Sequence, residues 1–154
     1  MKHIWSTILL ISIFTASSLS AASDTTQKER SMAASGTFEV DLEPQNDQEF
    51  PAGRMVIRKT YSGDLEGSGI GQMISKRTEG GASVYSAIEE FEGTVEGKSG
   101  SFSLFHNGYM SAERQSLEII IVQGSGKGEL ENISGSLEIL QEEGKHKYVL
   151  TYEL

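Results

Sequence analysis

From Gly36 onward, apolar and polar residues alternate in short runs rich in Thr, Ile, Val, Tyr and Phe, and Gly-rich breaks separate the runs. A period of two sends successive side chains to opposite faces of an extended chain, whereas an amphipathic helix needs apolar residues three and four apart. No segment of helical length shows that second spacing with caps. The pattern predicts strands near Thr37 to Leu42, Arg54 to Ser62, Ser68 to Thr78, Ser83 to Val95, Ser99 to Met110 and Ser116 to Gln123. It continues with Gly128 to Ile133, joined through a bend to Ser134 to Gln141, and ends with Lys145 to Leu154. The breaks at Thr78-Glu-Gly-Gly81, Glu96-Gly-Lys-Ser99, Gly124-Ser-Gly-Lys-Gly128 and Glu142-Glu-Gly-Lys145 are short enough to make consecutive strands antiparallel neighbours.

About eight strands with no helix to cover them must pack as two layers or close on themselves, because an open sheet leaves a face and two edges unprotected. A meander favours closure over a Greek-key sandwich, which needs long crossovers. The expected fold is therefore all-β, a single antiparallel up-and-down barrel. A barrel of that size holds packed side chains or one small ligand. One phrase recurs within it: Gly63-Asp-Leu-Glu-Gly67, Gly93-Thr-Val-Glu-Gly97 and Gly128-Glu-Leu-Glu-Asn132. Gly and Asn reach positive φ cheaply, so the phrase reads as strand ends at tight turns, with Glu66, Glu96 and Glu131 near solvent.

The ends of the chain have a different character. Lys2, the apolar run Ile4 to Phe14 and the small residues Ala16 to Ala22 fit a secretory signal peptide, residues 1–22, cleaved after Ala22. The apolar run is shorter than a spanning helix requires, so no stable membrane anchor is expected after cleavage. Export to the periplasm or the extracellular space follows. Residues 23–35 are polar and aperiodic, which predicts a flexible mature N-terminus, and 36–154 form one domain. With no Cys, disulfides and cysteine nucleophiles are ruled out, and the fold relies on burial. Lys and Arg number 13 against 22 Asp and Glu, a formal charge of −9. Such a surface repels nucleic acid and anionic lipid.

Strand parity points to candidate chemistry. Met55, Ile57, Lys59 and Tyr61 share one face of their strand. Tyr85, Ala87, Glu89 and Phe91 share a face of another, as do Phe102, Leu104 and His106. The apolar members mark these faces as interior, which puts Lys59, Glu89 and His106 inside the barrel. A buried carboxylate or ammonium must pair or shift toward neutrality. Glu89 is accordingly the candidate catalytic residue, as base or charge stabiliser, and Lys59, Tyr85 and His106 are the candidate ligand-binding residues. No metal or cofactor site is expected, because no His, Asp and Glu spacing resembles one. Gly124 to Gly128 lacks the full spacing of a phosphate loop and reads as a hairpin turn. Glu89 and Glu90 are adjacent on a strand, face apart, and cannot act as a carboxylate pair on one site.

The blocks Gly53 to Gly67, Tyr85 to Phe102, His106-Asn-Gly108 and Gly124 to Leu130 resemble the DUF3224 family, a domain of unknown function, across nearly all of 36–154. That resemblance implies a barrel of the allene oxide cyclase type and brings no reaction with it. Gln72, Phe105 and Gln123 depart from the family pattern, and a missing polar group at Gln72 would alter any shared site. Allene oxide cyclases and dirigent proteins use such barrels to mould apolar reactive substrates, an analogy of fold alone. The expected function is binding of a small apolar molecule in the barrel. The alternatives are an isomerase- or cyclase-like enzyme using an inward Glu, and a filled structural barrel acting through its surface or as an oligomer.

Overall fold

A computed structural model describes residues 31–46 and 49–154. The predicted signal peptide and most of the predicted flexible N-terminus lie outside the described residues. The strands are β1 (Met32–Pro44), β2 (Gly53–Gly63), β3 (Leu65–Arg77), β4 (Ser83–Val95), β5 (Lys98–Met110), β6 (Gln115–Ile121), β7 (Lys127–Gly128), β8 (Ser134–Glu142) and β9 (Lys145–Glu153). Hydrogen-bonded neighbours run β4-β3-β2-β1-β9-β8-β6-β5, and β4 also pairs with β5. The sheet is thus a closed antiparallel barrel of eight strands, with β7 as a short extra strand on β5. Among the eight barrel strands each connection joins neighbours, the one from β6 to β8 passing through β7, and β1 meets β9 to complete the ring, so the meander read from the turns is the topology of the barrel.

Two boundaries differ from the sequence expectation. Strand β1 begins at Met32, before the predicted boundary at Gly36, because Met32 to Ser35 pair with Val149 to Tyr152 on β9 and Ala34 is fully buried. Met32 to Ser35 therefore belong to the barrel, although the polar, aperiodic stretch 23–35 that they end reads as a flexible mature N-terminus. The predicted strand Gly128 to Ile133 is also replaced. Only Lys127 and Gly128 pair with β5, and Glu129 to Asn132 turn sharply to carry Leu130 and Ile133 into the core. Burying two apolar side chains from one short loop outweighs two more ladder bonds at the barrel's end.

The inward faces grade from fully buried to half-exposed along the barrel axis. At the end where β2 meets β3, Leu65, Val95, Leu130, Ile133, Ala34 and Tyr152 are all buried. Above them, Tyr61 packs edge-on against Phe91 and Tyr148, and Phe91 lies 5.0 Å from Phe102. At the opposite end the inward phase carries half-buried Met55, Met73, Tyr85 and Ile139, with Leu117 exposed. The recurring phrase supplies the filled end: Leu65, Val95 and Leu130 are its apolar centres, and Leu65 pairs with Val95 across β3 and β4. Its Glu66, Glu96 and Glu131 are exposed, and Glu96 accepts a 2.5 Å hydrogen bond from Tyr152.

Candidate functional site

Between the filled floor and the half-exposed mouth, three strands bring Lys59, Glu89 and His106 into the lumen. Lys59 on β2 and Glu89 on β4 both flank β3, which opposes them with Gly69 and Gly71. Those glycines create the space. A Cβ at Gly69 would come within 2.1 Å of Glu89 Oε1 and 3.2 Å of the Tyr61 ring. The missing side chains of β3 therefore shape a slot for the glutamate, an example of Gly allowing close approach inside a strand.

In that slot Glu89 is fully buried, while Lys59 and His106 are 6% and 2% exposed. The Lys59 Nζ donates to Glu89 Oε2 at 2.6 Å, and the Tyr61 hydroxyl donates to Oε1 at 2.7 Å. Lys59 also donates to the Tyr61 oxygen at 3.2 Å and stands 4.9 Å from the centre of the Phe38 ring, a cation–π contact. His106 Nε2 lies 3.1 Å from Glu89 Oε2, yet off the line that a good hydrogen bond needs, so this buried nitrogen has no aligned partner. Of the candidates named from parity, Lys59, Glu89 and His106 converge. Tyr85 stands two inward positions nearer the mouth, half-buried, its ring filling the space over Gly108.

The electrostatics bear on the role of Glu89. Burial by itself raises its carboxyl pKa, but His106, the charge of Lys59 and the bonds from Lys59 and Tyr61 overcome it and lower the value from 4.5 to about 2. Glu89 is thus held as a carboxylate with both oxygens engaged, a weak base at neutral pH. Burial, followed by the charge and hydrogen bond of Glu89, drives the Tyr61 hydroxyl far above its ordinary value. Tyr85 rises for the same first two reasons, burial and the Glu89 charge.

Tyr61 is the site residue that the parity argument did not single out. It shares the phase of Lys59 two residues away, and the alternation Gly67-Ser-Gly-Ile-Gly71 marks the space opposite, so both signals are present in the sequence. Gln72 and Phe105 point outward on the barrel wall, so the departure at Gln72 does not touch the lumen cluster.

The model of the family described as "Protein of unknown function (DUF3224)" matches residues 34–152. The chain belongs to the DUF3224 family. Among solved structures it is similar to a DUF3224 protein of unknown function from Shewanella oneidensis MR-1. The two share 34% identity and a TM-score of 0.73, over 80% of this chain and 96% of that one. No curated protein is similar to it. The family match begins at Ala34, consistent with β1 starting ahead of Gly36, and the DUF3224 barrel of this chain is the setting for the cluster.

Proposed function

We propose that this DUF3224 protein is an exported binding barrel that takes a small, mainly apolar molecule through its open end and anchors the molecule's polar end on Lys59, Glu89, Tyr61 and His106. The observation that carries this reading is the cluster itself, charged groups shut into an apolar lumen with one buried imidazole nitrogen 3.1 Å from the Glu89 carboxylate but out of line with it. Ligand sites combine apolar walls with a few convergent polar groups in this way. Met55 and Met73 at the mouth give an adaptable apolar rim. The sequence of residues 1–22, which reads as a signal peptide, supports export.

Native mass spectrometry of protein purified from its own compartment tests this. A single small adduct is expected on the wild type, absent from a Lys59→Met/Glu89→Leu variant that remains folded. An adduct retained equally by that variant would overturn the assignment. The low pKa of Glu89 favours one form of a second reading, a cyclase- or isomerase-like mould in which Glu89 is a fixed anion facing a developing cation. In that form any proton moves through His106 rather than Glu89. Turnover of the recovered molecule, lost in Glu89→Gln, separates it from binding alone.

A further inference from the structure

The donors and acceptors of the lumen cluster are not in balance. Lys59 gives its ammonium hydrogens to Glu89 Oε2 and to the Tyr61 oxygen and turns toward the Phe38 ring, while the Tyr61 hydroxyl gives its hydrogen to Glu89 Oε1. The donors of both side chains are therefore committed. Among the described residues no other Lys or Arg is buried. Acceptor capacity is what remains. Glu89 is held as a carboxylate, each of its oxygens has a second lone pair, and His106 Nε2 lies 3.1 Å from Oε2 but out of line with it. The charges of Lys59 and Glu89 cancel within the group. Toward the mouth the next inward positions on β2, β4 and β5 are Ile57, Ala87 and Gly108, followed by Met55, Tyr85 and Met110, a path without charge.

We infer, resting on the binding barrel proposed above, that the polar end of its ligand is a neutral hydroxyl, and that Glu89 makes the barrel select apolar alcohols over the corresponding carboxylic acids. A carboxylate head brings acceptors alone and would meet the Glu89 anion with no free cation to receive it. An ammonium head would find Glu89 but would lie against Lys59, and either ion would leave its hydration behind. A hydroxyl carries no such cost and both donates and accepts, so it suits His106 in either tautomer. It gives its hydrogen to an unprotonated Nε2, or gives it to Glu89 and accepts from a protonated Nε2. From Glu89 to Tyr85, β4 covers about 13 Å of extended chain at about 3.3 Å per residue, a length comparable to an extended octyl alcohol. The acidic excess of the chain, a formal charge of −9, adds a long-range bias against anions.

Isothermal titration of the purified protein with 1-octanol, octanoate and octylammonium at neutral pH tests this, with the carbon-bound ring protons of His106 followed by NMR to place the site. Octanol is expected to bind, to move the His106 resonances, and to bind about tenfold or more tightly than either ion. Any apolar pocket prefers an alcohol to an acid, so the deciding variant is Glu89→Gln. It removes the anion and leaves the Lys59 charge unbalanced, and it should shift preference toward octanoate, relative to octanol, by about tenfold or more. Glu90→Gln, the neighbouring acid on the outer face, should leave the ranking as it is. Octanoate or octylammonium binding as tightly as octanol overturns the inference and leaves the binding reading standing, and so does a ranking that Glu89→Gln does not change. Octanol bound with the His106 resonances unmoved lies outside the cluster and overturns it too. If none of the three binds, the binding reading falls and the choice of hydroxyl falls with it. The wild-type ranking and the His106 shifts need no variant, so they decide the matter even if Glu89→Gln does not fold.

Discussion

Two lysine–glutamate pairs in this barrel are almost the same length and have opposite settings. Lys59 and Glu89 meet at 2.6 Å inside the lumen, with side chains 4% and 0% exposed, and they join strands 30 residues apart. Lys147 and Glu142 meet at 2.5 Å on the β8–β9 hairpin, with side chains 42% and 55% exposed. Distance does not distinguish them; dielectric does. Water screens the hairpin pair and solvates either partner when the other is lost. In the lumen each partner depends on the other, and the desolvation of both ions offsets much of their attraction. A packed apolar pair would serve the fold there at least as well, so the buried charges are better explained by something they do than by the stability they confer.

The largest effect should come from separating the buried pair. Glu89→Ala leaves Lys59 charged and unpaired, with an expected loss of about 3–5 kcal/mol in urea unfolding. Lys59→Met/Glu89→Leu removes both charges and should recover most or all of it. If the double variant is as unstable as the single one, the pair is structural and the comparison fails. Next comes Gly69→Ala, which puts a methyl group where Glu89 Oε1 lies. The carboxylate is pinned by Lys59 and Tyr61 and cannot swing away freely, so a cost of about 1–3 kcal/mol is expected. Most of that cost should vanish in a Glu89→Ala background, because the clash is with that side chain.

Acid should find the same asymmetry. The folded carboxyl of Glu89 titrates near 2 against 4.5 for the ordinary group, so its stabilising contribution is complete above about pH 4.5 and is lost as pH falls toward 2. The urea midpoint of the wild type should decline through that window, and Glu89→Gln should flatten the decline. An unchanged slope in Glu89→Gln would mean that other carboxylates govern the acid limb.

Much of this was legible in the chain, for identifiable reasons. Short Gly-rich turns forced neighbouring strands, and the absence of helical spacing left closure as the way to hide the edges. Parity placed Lys59, Glu89 and His106 on inward faces because Tyr61, Phe91 and Leu104 share their phases. Parity gives a face but no height along the axis, so it could not separate Tyr85 at the mouth from Tyr61 against the carboxylate. Height depends on register, and here register runs through paired glycines that carry no side chain to read. The loop from Glu129 to Asn132 reads as strand because Leu130 and Ile133 look like strand residues whether they face a neighbour or plug an end. Exposed isoleucines on β3, β4 and β6 fit either face of an alternating strand, so their outward placement emerges only once the strands are paired.

The smallest effect belongs to the hairpin pair. Glu142→Gln removes one charge from a contact that water already screens, while Lys147 keeps its hydration and Gln141 retains its contact with His146. The expected loss is within about 0.5 kcal/mol and should vanish as salt is raised. The buried pair lies beyond the reach of mobile ions, so the Glu89→Ala loss should persist at the same salt. Unfolding the two variants side by side at low and high ionic strength reads that contrast directly. If salt erased both losses alike, Lys59 and Glu89 would be in contact with solvent, and the lumen would be wet at the depth of the cluster.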